Sequence, residues 1–217
     1  MNKFVINLDR STDRLQHYDD SYTRWKGVDG KQLKEDDPVI KQMFSPYNLK
    51  NKNQHLGKCG CMLSHKTLWE HIINNKLNNV LIVEDDAEQI SELPDINDLP
   101  KDGITYFGGF FHSINVRNTI IGDIQSNDKV NKVKSNFRIL TTLSYYIPSY
   151  DICEKLYSEL KKWEKKRFRA IDIMLSKFNM DKYYYYPAIY IERNVPSLID
   201  EEKKHRCDKF YKFKIQK

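Results

Sequence analysis

The chain opens on an apolar run, Phe4 to Leu8, that turns polar at Asp9, the pattern of a short buried strand. Ser11 or Thr12 would cap a helix running through Leu15 and Tyr18. Tyr22 to Val28 reads as a second strand, closed by the turn pair Asp29-Gly30. Residues 31–56 are polar and weakly periodic, a loop with short helical pieces. Cys59, Met62, Leu63, Trp69, Ile72 and Ile73 then recur at helical spacing and predict a helix over 57–76. Asn78-Asn79 ends it. Val80-Leu81-Ile82-Val83 follows as a fully apolar strand that runs straight into Glu84-Asp85-Asp86. Strand, helix and strand with short links predict a βαβ layout and an α/β fold with a mostly parallel central sheet flanked by helices.

Further along, Ile104 to Phe107 is a strand ending at Gly108-Gly109-Phe110-Phe111. Residues 115–136 are polar and irregular, the expectation for a mobile loop that orders over a ligand as a lid. Ile139 to Ile147 reads as a strand, Tyr150 to Trp163 as a helix and Ala170 to Phe178 as a short helix. Tyr183 to Ile191 reads as one Tyr-rich strand, with Pro187 placing it at an edge or a bulge. There is no internal repeat. A length of 217 residues suits one domain, 1–217, with a first half over 1–110 and a second over 111–217.

Composition narrows the classes. Hydrophobic residues make up 40%, which argues against disorder. The 14 Tyr exceed what packing needs and suit a site that stacks on bases or sugars. The net charge of +6 would attract polyphosphate, nucleic acid or an anionic surface. Much of it lies in Lys161 to Arg169 and in the tail after Lys203, where a solvated helix face and a frayed terminus suffice. Cys59, Cys61, Cys153 and Cys207 have neither zinc-ligand nor disulfide-framework spacing, so reduced thiols and a cytoplasmic setting are expected. The N-terminus turns polar too early for a signal peptide, and no apolar run is long enough to span a bilayer.

Glu84-Asp85-Asp86 is the sharpest chemical signal. A strand as apolar as 80–83 is buried, so acids at its end lie where α/β proteins bind ligands. Alternation puts Glu84 and Asp86 on one side, where two carboxylates would hold Mn²⁺ or Mg²⁺ and leave positions for diphosphate oxygens. A solvated acidic turn is the plain structural alternative.

Four stretches in order resemble the motifs of glycosyltransferase family 25: Val5-Ile6-Asn7-Leu8-Asp9-Arg10-Ser11-Thr12-Asp13-Arg14-Leu15, then Val28-Asp29-Gly30, then Gly57-Lys58-Cys59-Gly60-Cys61-Met62-Leu63-Ser64-His65, then Leu81 to Ala87. Beyond residue 90 the match thins to 142–148 and Ala170-Ile171-Asp172. The family often has His where Leu143 stands and a second acid where Ile173 stands. The resemblance implies a GT-A type fold, a UDP-sugar donor, an acceptor glycan or glycoprotein, and inversion at the anomeric carbon. It places Asn7, Leu8, Asp9, Arg14 and Asp29 near the nucleotide, with Asp85 beside the metal pair. It also brings Gly57, Ser64 and His65 to the donor, and Gly108 and Gly109 to the donor sugar. Gly60 suits close helix-to-sheet packing. Asp172 is the implied catalytic base, with Glu192 as the second choice.

Two other classes remain in view. A nucleotidyltransferase also uses paired acids on an α/β scaffold, but would more typically add a Gly-rich phosphate loop or a third strand-borne acid. A basic nucleic-acid-binding module, or a non-catalytic nucleotide-binding relative, would rest on the Lys/Arg-rich last third. The acid triplet puts negative charge at the most natural site, so no nucleic acid is expected.

Overall fold

The computed structural model describes residues 1–34, 40, 52–113, 128–135, 137–164, 170–193 and 195. In chain order the strands are β1 (Asn2–Asn7), β2 (Tyr22–Lys26), β3 (Val80–Glu84), β4 (Ala87–Gln89), β5 (Gly103–Ser113), β6 (Val130–Lys132), β7 (Phe137–Ile147), β8 (Asp181–Tyr185) and β9 (Tyr190–Glu192). The α-helices are α1 (Lys52–Asn74), α2 (Tyr150–Glu164) and α3 (Ile171–Lys177). Seven strands form one sheet in the order β2-β1-β3-β7-β5-β8-β6, and β4 pairs with β9 in a small second sheet. β2, β1, β3, β5 and β8 run one way, and β7 and β6 run against them. The expected α/β fold with a mostly parallel sheet is what the chain forms.

The apolar run 80–83 is buried because β3 lies inside the sheet with both faces covered. Val80 and Ile82 join the core under the helices, and Leu81 and Val83 join a smaller core on the opposite face with Phe107, Tyr146 and Tyr190. Each such side chain contributes roughly 1.5–3 kcal/mol relative to exposure. α1 packs on α2 and on the turn at 30–32, and α3 packs on β7.

Several elements differ from the sequence expectation. The segment after β1 is a 3-10 helix, Asp9–His17, broken by non-helical geometry at Ser11, and Tyr18 lies beyond its end. The single Tyr-rich strand is two, β8 and β9, separated around Pro187, which has no N–H for a ladder. Within 115–136, residues 130–132 pair with β8 as β6; 115–127 and 136, and with them most of the expected lid, lie outside the described residues. In β5, a bulge at Gly108-Gly109 shifts the register against β7. It reverses the alternation, so Tyr106 and Phe111, five apart, both join the core under the helices.

Candidate active site

The three acids at the end of β3 diverge. Asp85 turns into a buried polar knot. Its Oδ2 accepts from Asn7 Nδ2 at 2.7 Å and its Oδ1 from Arg14 Nη1 at 3.0 Å. Asn7 Nδ2 also donates to the Ser11 carbonyl at 2.8 Å, and Arg24 Nε donates to Asn7 Oδ1 at 3.1 Å. Burial raises the Asp85 carboxyl above its ordinary value despite Arg14 and Asn7. Arg193 reaches the Asp85 carbonyl, and its own N–H donates to the Asp86 carbonyl at 2.6 Å. Tyr18 Oη bridges the carbonyls of Glu84 and Ala87, at 2.8 Å to each. The turn that carries the acids is therefore pinned from three sides.

Glu84 points back toward α1. His65 Nε2 lies 3.2 Å from Glu84 Oε1, Thr142 Oγ1 donates to the same oxygen, and Cys61 Sγ is 3.9 Å away. Behind His65, Trp69 Nε1 donates to Tyr145 Oη at 2.9 Å, and Tyr145 Oη lies 2.8 Å from His65 Nδ1. The consistent assignment has Tyr145 donating to Nδ1, which leaves the His65 proton on Nε2, facing Glu84. Burial raises the Glu84 carboxyl, but the hydrogen bond and electrostatic attraction of the His65 ring, with help from Thr142 and Cys61, outweigh it and hold the group below its ordinary value. The Glu84 side chain stays 22% exposed.

Asp86 is the unsatisfied member. Its buried Oδ1 has no hydrogen-bond partner among the described residues. Burial first, then the charges of Glu84, Glu192 and Asp85, push its carboxyl well above the ordinary range. Glu192 reaches this cluster because β9 pairs with β4, setting Glu192 opposite Ala87.

Asp172, in the first turn of α3, faces the same region. Its Oδ2 accepts from the Thr141 N–H at 3.1 Å and its Oδ1 from the Ile173 N–H at 2.7 Å. Thr141 has φ 69°, an unfavourable left-handed conformation for a β-branched residue, so Asp172 steadies a strained peptide beside the β5 bulge. The negative charges of Glu84 and Asp172, added to burial, raise the Cys61 thiol well above its ordinary value. Cys61, His65 and Glu84 bring ligand-type atoms within 4.8 Å of one another. His65 and Thr142 both engage Glu84 Oε1 and fix its orientation.

Several residues expected at the ligand are occupied with protein partners. Asn7, Arg14, Ser64, His65 and Asp85 are buried, their polar atoms engaged by protein. Ser64 Oγ accepts from the Val28 N–H at 2.8 Å and donates to the Gly60 carbonyl at 2.7 Å. The space beside Gly108 is filled by the Tyr190 carbonyl, 2.5 Å from where a Cβ would stand, so it leaves no room there for a sugar. Gly109 has φ +128° and serves the bulge. Phe110 and Phe111 are core residues. Leu8 and Gly57 remain partly exposed, and Asp9 is exposed and paired with Arg24 at 2.6 Å and Lys26 at 2.7 Å. Asp29 pairs with Arg10 at 2.8 Å and caps the turn at 30–32. Arg193 and Tyr18 lie in no motif, and Thr142 and Tyr145 fall in the 142–148 match without a site role; only the fold brings the four to the acids.

The pinned acidic turn lies at the carboxyl end of parallel strands, where α/β folds bind ligands. The family model for glycosyltransferase family 25 (LPS biosynthesis protein) matches residues 1–175, and the chain belongs to this family of glycosyltransferases. A glycosyltransferase 25 family member of Anopheles gambiae is 32% identical over 96 residues, 38% of this chain and 16% of that protein. One of Drosophila pseudoobscura pseudoobscura is 31% identical over 98 residues, 38% of this chain and 15% of that protein. The chain thus covers a small part of either relative. Among solved structures, the inositol-1-phosphate CTP transferase of T. maritima is similar at 11% identity over 93% of both chains, with a TM-score of 0.37, too distant to carry an argument. Among the described residues, no helix is long and apolar enough to cross a membrane.

Proposed function

We propose that the chain transfers a sugar from a UDP-sugar to a hydroxyl of an acceptor glycan or glycoprotein, with inversion and with Mn²⁺ or Mg²⁺ held by Glu84 and Asp86. The observation that carries this reading is the buried, unsatisfied Asp86 Oδ1 among the carboxylates of Glu84 and Glu192. A dry, unpartnered carboxylate oxygen is costly, and a hard divalent cation would satisfy it and relieve the repulsion. The donor set fits: Asp86 Oδ1 is orphaned, and Glu84 keeps an exposed edge while His65 and Thr142 fix its other side. When bound, the metal would neutralise the diphosphate and make UDP a better leaving group.

The nucleotide would lie over Leu8, Asp9, Asp29 and Gly57, the partly exposed members of the first motifs. Asp172 would be the base. Its two N–H partners fix the carboxylate and leave it lone pairs. The acceptor oxygen would bond to the anomeric carbon as its proton passes to Asp172. The bond from the anomeric carbon to the UDP oxygen would break, its electrons leaving with the diphosphate. Glu192, beside Asp86, is the alternative base.

The test is thermal unfolding with UDP, with and without Mn²⁺. Metal should add on the order of 2–3 kcal/mol of apparent stability at a hundredfold excess over Kd. Asp86→Asn should abolish that increment with the fold intact. Equal UDP binding by both proteins, indifferent to metal, would refute the site. Release of UDP rather than pyrophosphate separates sugar transfer from nucleotidyl transfer.

A further inference from the structure

A cavity of about 880 Å³ opens on the helix side of the sheet between β5, β6, β7, β8 and α3, within the size range of small-molecule sites. Its walls include Tyr106, Phe111 and Tyr184, with the Phe111 and Tyr184 rings edge to face at 4.6 Å. Ser176 also lines it, one helical turn beyond Asp172 on the same face of α3. Through Ser176 the cavity reaches the face of α3 that also carries Asp172, the carboxylate proposed to take the acceptor's proton.

Its wall also holds Lys182, a cation in no ion pair among the described residues. The partly buried Lys182 Nζ donates to the carbonyls of Phe178 at 2.7 Å and Met180 at 2.9 Å. Its two nearby acids are engaged elsewhere: Asp181 with Lys132 at 2.8 Å, Glu159 with Lys162 at 2.5 Å. An ammonium has three N–H donors, so one remains. A half-buried charge gains most from a ligand that supplies the opposite one.

We propose that this cavity receives the acceptor, and that the acceptor carries an anionic group, a carboxylate or a phosphate, bound by Lys182 with its ring against the aromatic wall. The acceptor role rests on the reading of Asp172 above. The experiment compares binding of 4-nitrophenyl β-glucoside, its 6-phosphate and 4-nitrophenyl β-glucuronide by NMR titration. At least one anionic probe should bind about tenfold or more tighter than the neutral one, the worth of one charge-assisted hydrogen bond. The better anion identifies phosphate or carboxylate as the recognised group. The shifts should include the backbone amides of Ser176 and Tyr184. Lys182→Gln should erase the preference, and Lys182→Arg should keep most of it. Equal binding of all three probes, shifts confined to other regions, or a preference that survives Lys182→Gln would overturn the assignment. Should Lys182→Gln fail to fold, the three probes on the wild-type chain decide alone. The UDP and Mn²⁺ thermal shift is read in the same samples. A UDP shift without anion preference overturns the cavity assignment and leaves the proposed function standing. Anion preference without a UDP shift overturns the function and leaves an anion site.

Discussion

Asp86 and Glu84 stand next to each other with opposite electrostatic histories. Glu84 is held ionised by His65 and Thr142, whereas Asp86 is dry, crowded by like charge, and retains its proton above the ordinary carboxylate range. The folded chain then binds more protons at Asp86 than the unfolded chain once pH exceeds about 3.9. Stability is therefore lost at this residue as pH rises from there toward the folded value. Glu84 acts in the reverse sense, its contribution lost as pH falls. Asp86→Asn isolates the first effect. Without metal at pH 7 it should stabilise the chain, because the neutral amide leaves no charge to bury beside Glu84 and Glu192. The gain should vanish below pH 4, and unfolding curves at both pH values check it. His65 offers a separate test. It touches Glu84 and is itself shut from solvent. His65→Gln should weaken Mn²⁺ affinity roughly 10–100-fold, as expected for a group that orients a ligand. Metal titration by calorimetry would read this, and unchanged affinity would remove His65 from the site.

At the scale of elements, the site depends on α1 lying close against the loop after β2. A Cβ on Gly60 would stand 2.5 Å from the Val28 carbonyl oxygen and 2.7 Å from the Gly30 nitrogen, both backbone atoms. Gly to Ala in a helix interior ordinarily stabilises by about 1 kcal/mol. Here overpacking should reverse the sign, and Gly60→Ala should cost on the order of 1–3 kcal/mol in urea unfolding. A stabilised Gly60→Ala would show that the approach is loose. The elements legible in sequence share one cause. β1, β3 and α1 announce themselves because uninterrupted or 3.6-spaced apolar residues correspond to burial. The direction of β7 was not legible, since a fully buried run reads the same either way. The split between β8 and β9 was hidden by Tyr on both sides of Pro187. At the site, the position of the acids was legible from β3 running into them. Their separate fates were not, because Asp85 turns to Arg14, 71 positions away, and Glu84 to Thr142, 58 positions away.

At the scale of the whole molecule the acids of the candidate site divide into two groups. Glu84, Asp86 and Glu192 gather where β3 ends and β9 returns, while Asp172 arrives from the first turn of α3, one turn before the cavity-lining Ser176. An inverting transfer needs its base on the face of the sugar opposite the departing diphosphate. Under the proposed function Asp172, outside the Asp86 cluster, would meet that demand, and Glu192, within it, would not. Asp172 also has a structural duty, the Thr141 N–H, so a crude replacement would confound the two roles. Asp172→Asn keeps one acceptor oxygen, enough for the Thr141 N–H, gives up the bond from the Ile173 N–H, and removes the base. Transfer should fall roughly 10²–10⁴-fold, with UDP and Mn²⁺ binding near that of the parent chain. Glu192→Gln should instead weaken metal-dependent UDP binding along with transfer. Single-turnover rates and UDP titrations on both variants decide the assignment. Near-normal transfer by Asp172→Asn, beside a Glu192→Gln that binds UDP and metal normally yet does not transfer, would make Glu192 the base and leave Asp172 as the anchor of the β7 distortion.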